Sequence, residues 1–164
     1  TDYPLLGREE DIPTLSKACH NFLITIGQIK SPEPRIRLFL RLKQLGMTLP
    51  IVVSPLAHVS RRARLGEGTI IMHDALINAG ASVGRNCIIN TKALIEHDAV
   101  IEDHCHISTA AIVNGAAMVR RCSFIGSNAV LRERIVVGEE SIVGAGVTLL
   151  QSVTPRSIMR LQFS

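Results

Sequence analysis

Residues 75–104 read ALINAG-ASVGRN-CIINTK-ALIEHD-AVIEDH, five consecutive hexads, each with a small residue first and an aliphatic residue third. Extended both ways, the third position runs from Val59 through Ile77, Ile95 and Val113 to Leu149, sixteen hexads without leaving the aliphatics. The first position runs from Ala57 to Val147 and is small in fourteen of the sixteen; Ile135 and Val147 are the apolar exceptions. Side chains two apart share a face of a strand, so every hexad sends one bulky and one small side chain inward. Three short strands per turn make a flat-sided prism, with the bulky residue stacked on its equivalent eighteen residues later. Sixteen hexads correspond to about five coils of a parallel β-solenoid, stabilised by coil stacking on coil.

Working outward, residues 1–53 lack the period. Residues 11–20 read as a short helix, with Asp11 as N-cap and Pro13 in the first turn. Residues 21–27 (NFLITIG) read as a buried strand. Residues 31–45 read as an amphipathic helix with Ile36, Phe39, Leu40 and Leu42 inward and its Arg and Lys outward. Gly46 ends that helix, and 49–53 form another strand. Helix, strand, helix, strand is the tail of a parallel α/β (Rossmann-like) unit, with its first βα unit expected to be missing. The expected division is therefore 1–53, partial α/β; 54–155, solenoid; 156–164, tail.

Composition agrees. Of 164 residues 46% are hydrophobic but only 3% aromatic, with no Trp, which suits a narrow aliphatic interior. No apolar run spans a bilayer, no signal peptide is visible, and no nucleic-acid motif accompanies the formal charge of +4. Four cysteines without paired spacing argue for a reducing compartment, and Cys87 and Cys105 fall at small inward positions. The arginines at 61, 62 and 64 and at 120 and 121 read either as a solvated face or as a site for anionic phosphates.

Ser54-Pro55-Leu56-Ala57-His58-Val59-Ser60, then Ile89-Asn90-Thr91, Ile95-Glu96-His97-Asp98 and His106-Ile107-Ser108, resemble the bacterial sugar acetyltransferases. That family comprises the sialic acid O-acetyltransferases and the N-acetyltransferases of nucleotide-linked 4-amino sugars, within the hexapeptide-repeat acyltransferases. The resemblance implies a left-handed parallel β-helix, a homotrimer with sites between subunits, acetyl-CoA as co-substrate without a metal, a sugar acceptor and a cytoplasmic location. It implies His97 as general base. Asp98 is its orienting partner, by the logic of catalytic triads, with Glu96 as the other acidic neighbour.

Gly115, one coil from His97, is then a candidate oxyanion donor, and otherwise a turn glycine. His106, Ser127 and Ala145 fall at cofactor positions, where small residues and glycines open the backbone amides to pantetheine. Asn90 and Glu96 fall at the sugar, while Asn78, Glu96 and Asn114 also suit a structural polar column. After Ser108 the family continues Pro-Gly where this chain has Thr109-Ala110, and its Gly-x-Pro-Ala ending after Pro155 is absent. Two other classes stay open. One is a non-catalytic assembly solenoid. The other is a zinc hydratase of the gamma carbonic anhydrase kind, gathering His97, His104 and His106; His20, His58 and His73 carry no assignment.

Overall fold

The computed structural model describes residues 3–29 and 31–161, and in it the hexads form a parallel β-solenoid. Strands two residues long repeat every six residues and pair eighteen apart, except the last, which pairs sixteen apart, in three sheets of seven, six and five strands. The first face holds Val52–Val53, Ile70–Ile71, Ile88–Ile89, His106–Ile107, Phe124–Ile125, Ile142–Val143 and Ile158–Met159. The second runs from His58–Val59 through Leu76–Ile77, Leu94–Ile95, Ile112–Val113 and Val130–Leu131 to Thr148–Leu149. The third runs from Arg64–Leu65 to Val136–Val137. The turns number about six, one more than the hexads alone, because Val52–Val53 pairs with Ile70–Ile71 and Ile158–Met159 pairs with Ile142–Val143.

The aliphatic stack is sealed. Ile77, Ile95, Val113 and Leu131 are all 0% exposed, with alanines 75, 93, 111 and 129 beside them. Burying each such aliphatic side chain contributes about 1.5–3 kcal/mol. At the third–first corner the small inward residue always carries a donor. Thr69, Cys87, Cys105 and Ser123 bond the carbonyls of Gly84, Glu102, Arg120 and Gly138 at 2.7, 3.1, 3.1 and 3.0 Å. The cysteines are therefore buried rungs of a polar column, and burial pushes the Cys87 thiol up to about 12.

From residue 68 to residue 146 each corner turns through one residue in the left-handed region. Gly68, Asp74, Gly80, Asn86, Lys92, Asp98 and His104 begin a run with this conformation at every sixth position through Gly146. Most of these residues are not glycine, and the conformation costs an L-residue about 1–2 kcal/mol. A bond to the neighbouring coil offsets it: Asp98 N–H reaches Ala79 O at 3.1 Å and Ala116 N–H reaches His97 O at 2.9 Å.

The N-terminal segment departs from the sequence expectation. Helix α1 covers Ile12–Leu15, a single turn after a 3-10 turn at Glu9–Asp11, and Asp11 makes no cap bond to it. Its carboxylate instead accepts the Arg8 N–H at 2.8 Å. Residues 21–27 form no strand beyond one parallel bridge, Asn21 to Thr48. The reason is Arg35. On helix α2, Glu33–Gln44, its guanidinium takes the carbonyls of Ile24 and Ile26 at 2.9 and 2.6 Å, bonds a neighbouring strand would have made. Arg35 was expected outward and is 1% exposed; Leu40, expected inward, is 52% exposed. Phe39 and Leu42 are buried as expected, with Ile24, Met47 and Leu49.

Candidate active site

His97 stands at a second–third corner, just after the strand Leu94–Ile95. Its Nδ1 lies 3.0 Å from a carboxylate oxygen of Asp98, and both side chains are about two-thirds exposed (66% and 67%). The left-handed φ of +59° at Asp98, which Asp tolerates better than most residues, lets adjacent residues face each other. With Nδ1–H donated to the carboxylate, Nε2 is left as the acceptor. Glu96 steadies the turn: one of its oxygens accepts the His97 N–H at 3.2 Å and the Asn78 amide at 2.8 Å. Asn114, expected in the same column, bonds the Leu131 carbonyl instead, at 2.8 Å.

Two glycines hold the dyad from the coils on either side. A methyl group on Gly115 would lie 2.7 Å from His97 Nε2, and one on Gly80 would run into the Asp98 carboxylate. Gly115 is thus seated against the proton-accepting nitrogen. Gly80 was not singled out from sequence, though subtracting one eighteen-residue coil from Asp98 finds it. Gly115 has no positive φ, so alanine suits its backbone, and the nearest atoms its methyl meets are those of the imidazole. Gly115→Ala should cut turnover about 100-fold, the scale of a one-ångström misplacement, with little change in unfolding temperature. Steady-state kinetics beside a melting curve checks this.

The remaining candidates lie elsewhere on the chain. Asn90, Ser127 and Ala145 occupy first–second corners, across the second face from His97; Ser127 is half-buried, Ala145 is exposed, and Ser127 Oγ lies 3.0 Å from Ser108 Oγ. His106 projects from the first face as expected but does not reach solvent, because the N-terminal segment covers it. It is 7% exposed and hydrogen-bonded through Nδ1 to the Gln28 carbonyl at 2.5 Å. That carbonyl can only accept, so Nδ1 carries the hydrogen and Nε2 faces the Asn90 amide at 3.4 Å. The Phe124 ring packs edge-on at 5.2 Å. His104 is similarly enclosed, its Nδ1 3.0 Å from the Asn86 amide and its ring against Phe39. His97, His104 and His106 therefore do not converge within one chain, and His104 and His106 are both engaged by hydrogen bonds. No group of three His, Cys, Asp or Glu able to hold a metal occurs among the described residues.

Burial pushes the His106 pKa down, outweighing the Gln28 carbonyl bond that raises it. The folded pKa thus lies below the unfolded value near 6.5, and below that pH the unfolded chain binds more protons. The stability contributed by neutral His106 is complete above about pH 6.5 and is lost as pH falls through the folded pKa. His104, also depressed by burial, acts in the same direction. The melting temperature should therefore fall between about pH 7 and pH 5, and His106→Gln should flatten that slope in a thermal scan series.

The fold places the chain among solenoids built of six-residue repeats, and its neighbours in fold belong to the hexapeptide-repeat acyltransferases. Within that class, solved structures supply specific neighbours. A histidine-to-asparagine variant of perosamine N-acetyltransferase from Caulobacter crescentus, in complex with CoA and GDP-perosamine, is 27% identical. It matches over 94% of this chain and 73% of its own, with a TM-score of 0.89. The acetyltransferase domain of PglB from Neisseria gonorrhoeae, in complex with acetyl coenzyme A, is 26% identical over 87% of this chain and 70% of its own, TM-score 0.81. No family model and no curated protein sequence matches the chain. The structural neighbours are thus nucleotide-amino-sugar N-acetyltransferases of the hexapeptide-repeat acyltransferase superfamily, as the sequence resemblance implied.

Proposed function

We propose that this chain transfers the acetyl group of acetyl-CoA to the amine of a nucleotide-linked amino sugar. The observation that carries the reading is the exposed His97–Asp98 dyad, between two glycines that leave room only for it, on a chain matching a GDP-perosamine N-acetyltransferase complex over 94% of its length. The acceptor nitrogen attacks the thioester carbonyl while His97 Nε2 takes its proton, an assistance typically worth 10²–10⁴-fold. Asp98 holds the ring by Nδ1–H and stabilises the imidazolium. The N–H of Gly115, unbonded among the described residues, is placed to donate to the tetrahedral oxyanion. Collapse breaks the C–S bond, and the departing thiolate of CoA receives the proton from His97.

A trimer fits this assignment. One chain holds the base and the cofactor candidates at different corners, and a neighbour's first–second corner beside His97 would join them. The outward residues Leu76, Leu94, Ile112 and Val130 of the second face are apolar and half-buried in the lone chain, as a covered face requires. In this assembly Ser127 and Ala145 line the acetyl-CoA arm and Asn90 and Glu96 the sugar, with His106 acting through Asn90. The left-handed coil sense and a cytoplasmic location belong to the same proposal.

The test is thiol release from acetyl-CoA with GDP-perosamine, UDP-linked 4-amino sugars and free sialic acid as acceptors. Turnover with a nucleotide amino sugar supports the reading. Turnover with sialic acid alone replaces it with O-acetylation. Failure to bind acetyl-CoA in calorimetry leaves the assembly solenoid.

A further inference from the structure

The arginines of the solenoid fall into two sets. At the third–first corner, Arg85, Arg120 and Arg121 pair with Asp103, Glu102 and Glu139 at 2.7, 2.6 and 2.8 Å. That settles one of the two basic clusters in the sequence as a charge-compensated ladder. At the second–third corner, Arg61, Arg62 and Arg134 are exposed, and among the described residues no carboxylate lies within ion-pair distance of any of them. Arg62 and Arg134 share the turn position of Asp98, one lying two eighteen-residue coils before it and the other two coils after it.

The dyad is open toward only one of these two. The Asp98 carboxylate stands over Gly80, where a methyl group would collide with it, and so fills the corner on the Arg62 side. The imidazole leans the other way, with Nε2 against Gly115. Beyond it lies a cleft floored by Gly115 and Ala116, with Glu96, His97 and Asp98 at one end and Glu133 and Arg134 at the other. The Arg134 N–H bonds the Gly115 carbonyl at 3.0 Å, which fixes the arginine one coil beyond the candidate oxyanion donor. Nε2 reaches the level of Gly115, so one coil spacing, about 5 Å, separates it from the turn that carries Arg134.

The two ends of the cleft differ in charge. Glu96 and Asp98 give the dyad end two carboxylates. At the far end Glu133 bonds Arg132 at 3.3 Å, so that turn sets two guanidiniums against one carboxylate and Arg134 is left over. An anionic group is repelled from the dyad end and drawn to the other, and an arginine fork matches the oxygens of phosphate and carboxylate alike. An acceptor in the cleft is thereby oriented, with its nucleophile at Nε2 and its negative group toward Arg134, a separation one sugar ring can bridge. Resting on the acetyl transfer proposed above, we infer that Arg134 binds an anionic group of the acceptor, a sugar-linked phosphate or a sugar carboxylate, and so selects which acceptors are used.

The test compares Arg134→Ala with Arg62→Ala, which removes an equally unpaired charge from the same turn position on the closed side of the dyad. Alanine suits the turn, since Ala116 takes the same left-handed φ one coil earlier. KM and kcat are measured with GDP-perosamine, UDP-linked 4-amino sugars and free sialic acid, and inorganic pyrophosphate and acetyl-CoA are titrated separately by calorimetry. Arg134→Ala should raise the acceptor KM about tenfold or more, as loss of a charge-assisted bond, with a smaller change in kcat. It should also flatten the rise of KM with salt that the wild type shows. Arg134→Lys should recover part of the loss, and Arg62→Ala should match the wild type. A loss with the nucleotide sugars together with weakened pyrophosphate binding makes the group the diphosphate; a loss with sialic acid makes it the carboxylate. Unaltered acceptor KM in Arg134→Ala, or an equal rise in Arg62→Ala, overturns the inference. A loss confined to acetyl-CoA affinity also overturns it, assigning Arg134 to the cofactor. Wild-type chain that acetylates none of these acceptors refutes the proposed function instead, and the dependence of pyrophosphate affinity on Arg134 then decides the inference alone.

Discussion

Replacing His97 with alanine should lower kcat about 10²–10⁴-fold, the range expected for removal of a positioned general base, with acetyl-CoA affinity and melting temperature essentially unchanged. The separation follows from the site's construction. The imidazole is 66% exposed and paired with an equally exposed carboxylate, and an exposed ion pair contributes no more than about 1 kcal/mol. The corner is built by the backbone: Ala116 N–H bonds the His97 carbonyl at 2.9 Å whatever the side chain. The kinetic readout is thiol release against pH. The residual activity of His97→Ala should depend on pH differently from that of the wild type. A variant that keeps full turnover would remove this corner from the chemistry.

Arg35→Ala should destabilise the N-terminal segment by a few kcal/mol, through the buried acceptors it leaves unsatisfied. The guanidinium is 1% exposed and bonds the carbonyls of Ile24 and Ile26 and the Asn86 side chain at 2.9, 2.6 and 2.9 Å. Each acceptor left unsatisfied in a buried site costs about 1–3 kcal/mol. Asn86 belongs to the third–first corner and also bonds the His104 ring at 3.0 Å, so Arg35 ties helix α2 to the solenoid through one polar cluster. Hydrogen exchange should rise sharply over residues 22–29, while the amides of the sealed stack around Ile95 stay protected. Uniform loss of protection along the chain would show that the segment and the solenoid unfold as one unit. The same variant should uncover His106, since the Gln28 carbonyl that caps it lies in the released segment.

These two residues also divide what was legible in the chain from what was not. The dyad could be read because its parts are adjacent in sequence and its corner follows from the hexad count. Gly115 followed by adding one coil, and Gly80 would have followed by subtracting one. Arg35 could not be read. Its helix is amphipathic by composition, and a charged residue among Leu and Phe reads as solvent-facing, whereas its partners are backbone carbonyls that no side-chain pattern records. The missing strand at 21–27 has the same origin, since NFLITIG is a fair strand sequence whose carbonyls are taken by a guanidinium. His106 shows the limit from the other side: its outward projection was correct, but what covered that face depended on the path of residues 26–29.

By itself the sequence determined the solenoid, its coil length, its sealed aliphatic stack and the His97–Asp98 corner, because a six-residue period turns position along the chain directly into position in space. The tertiary structure alone decided how the aperiodic N-terminal segment lies on the first face, which arginines are neutralised and which stand free, and that His106 is enclosed. Those outcomes rest on contacts between residues up to 78 apart, made through backbone groups that every residue shares, so no local pattern could announce them.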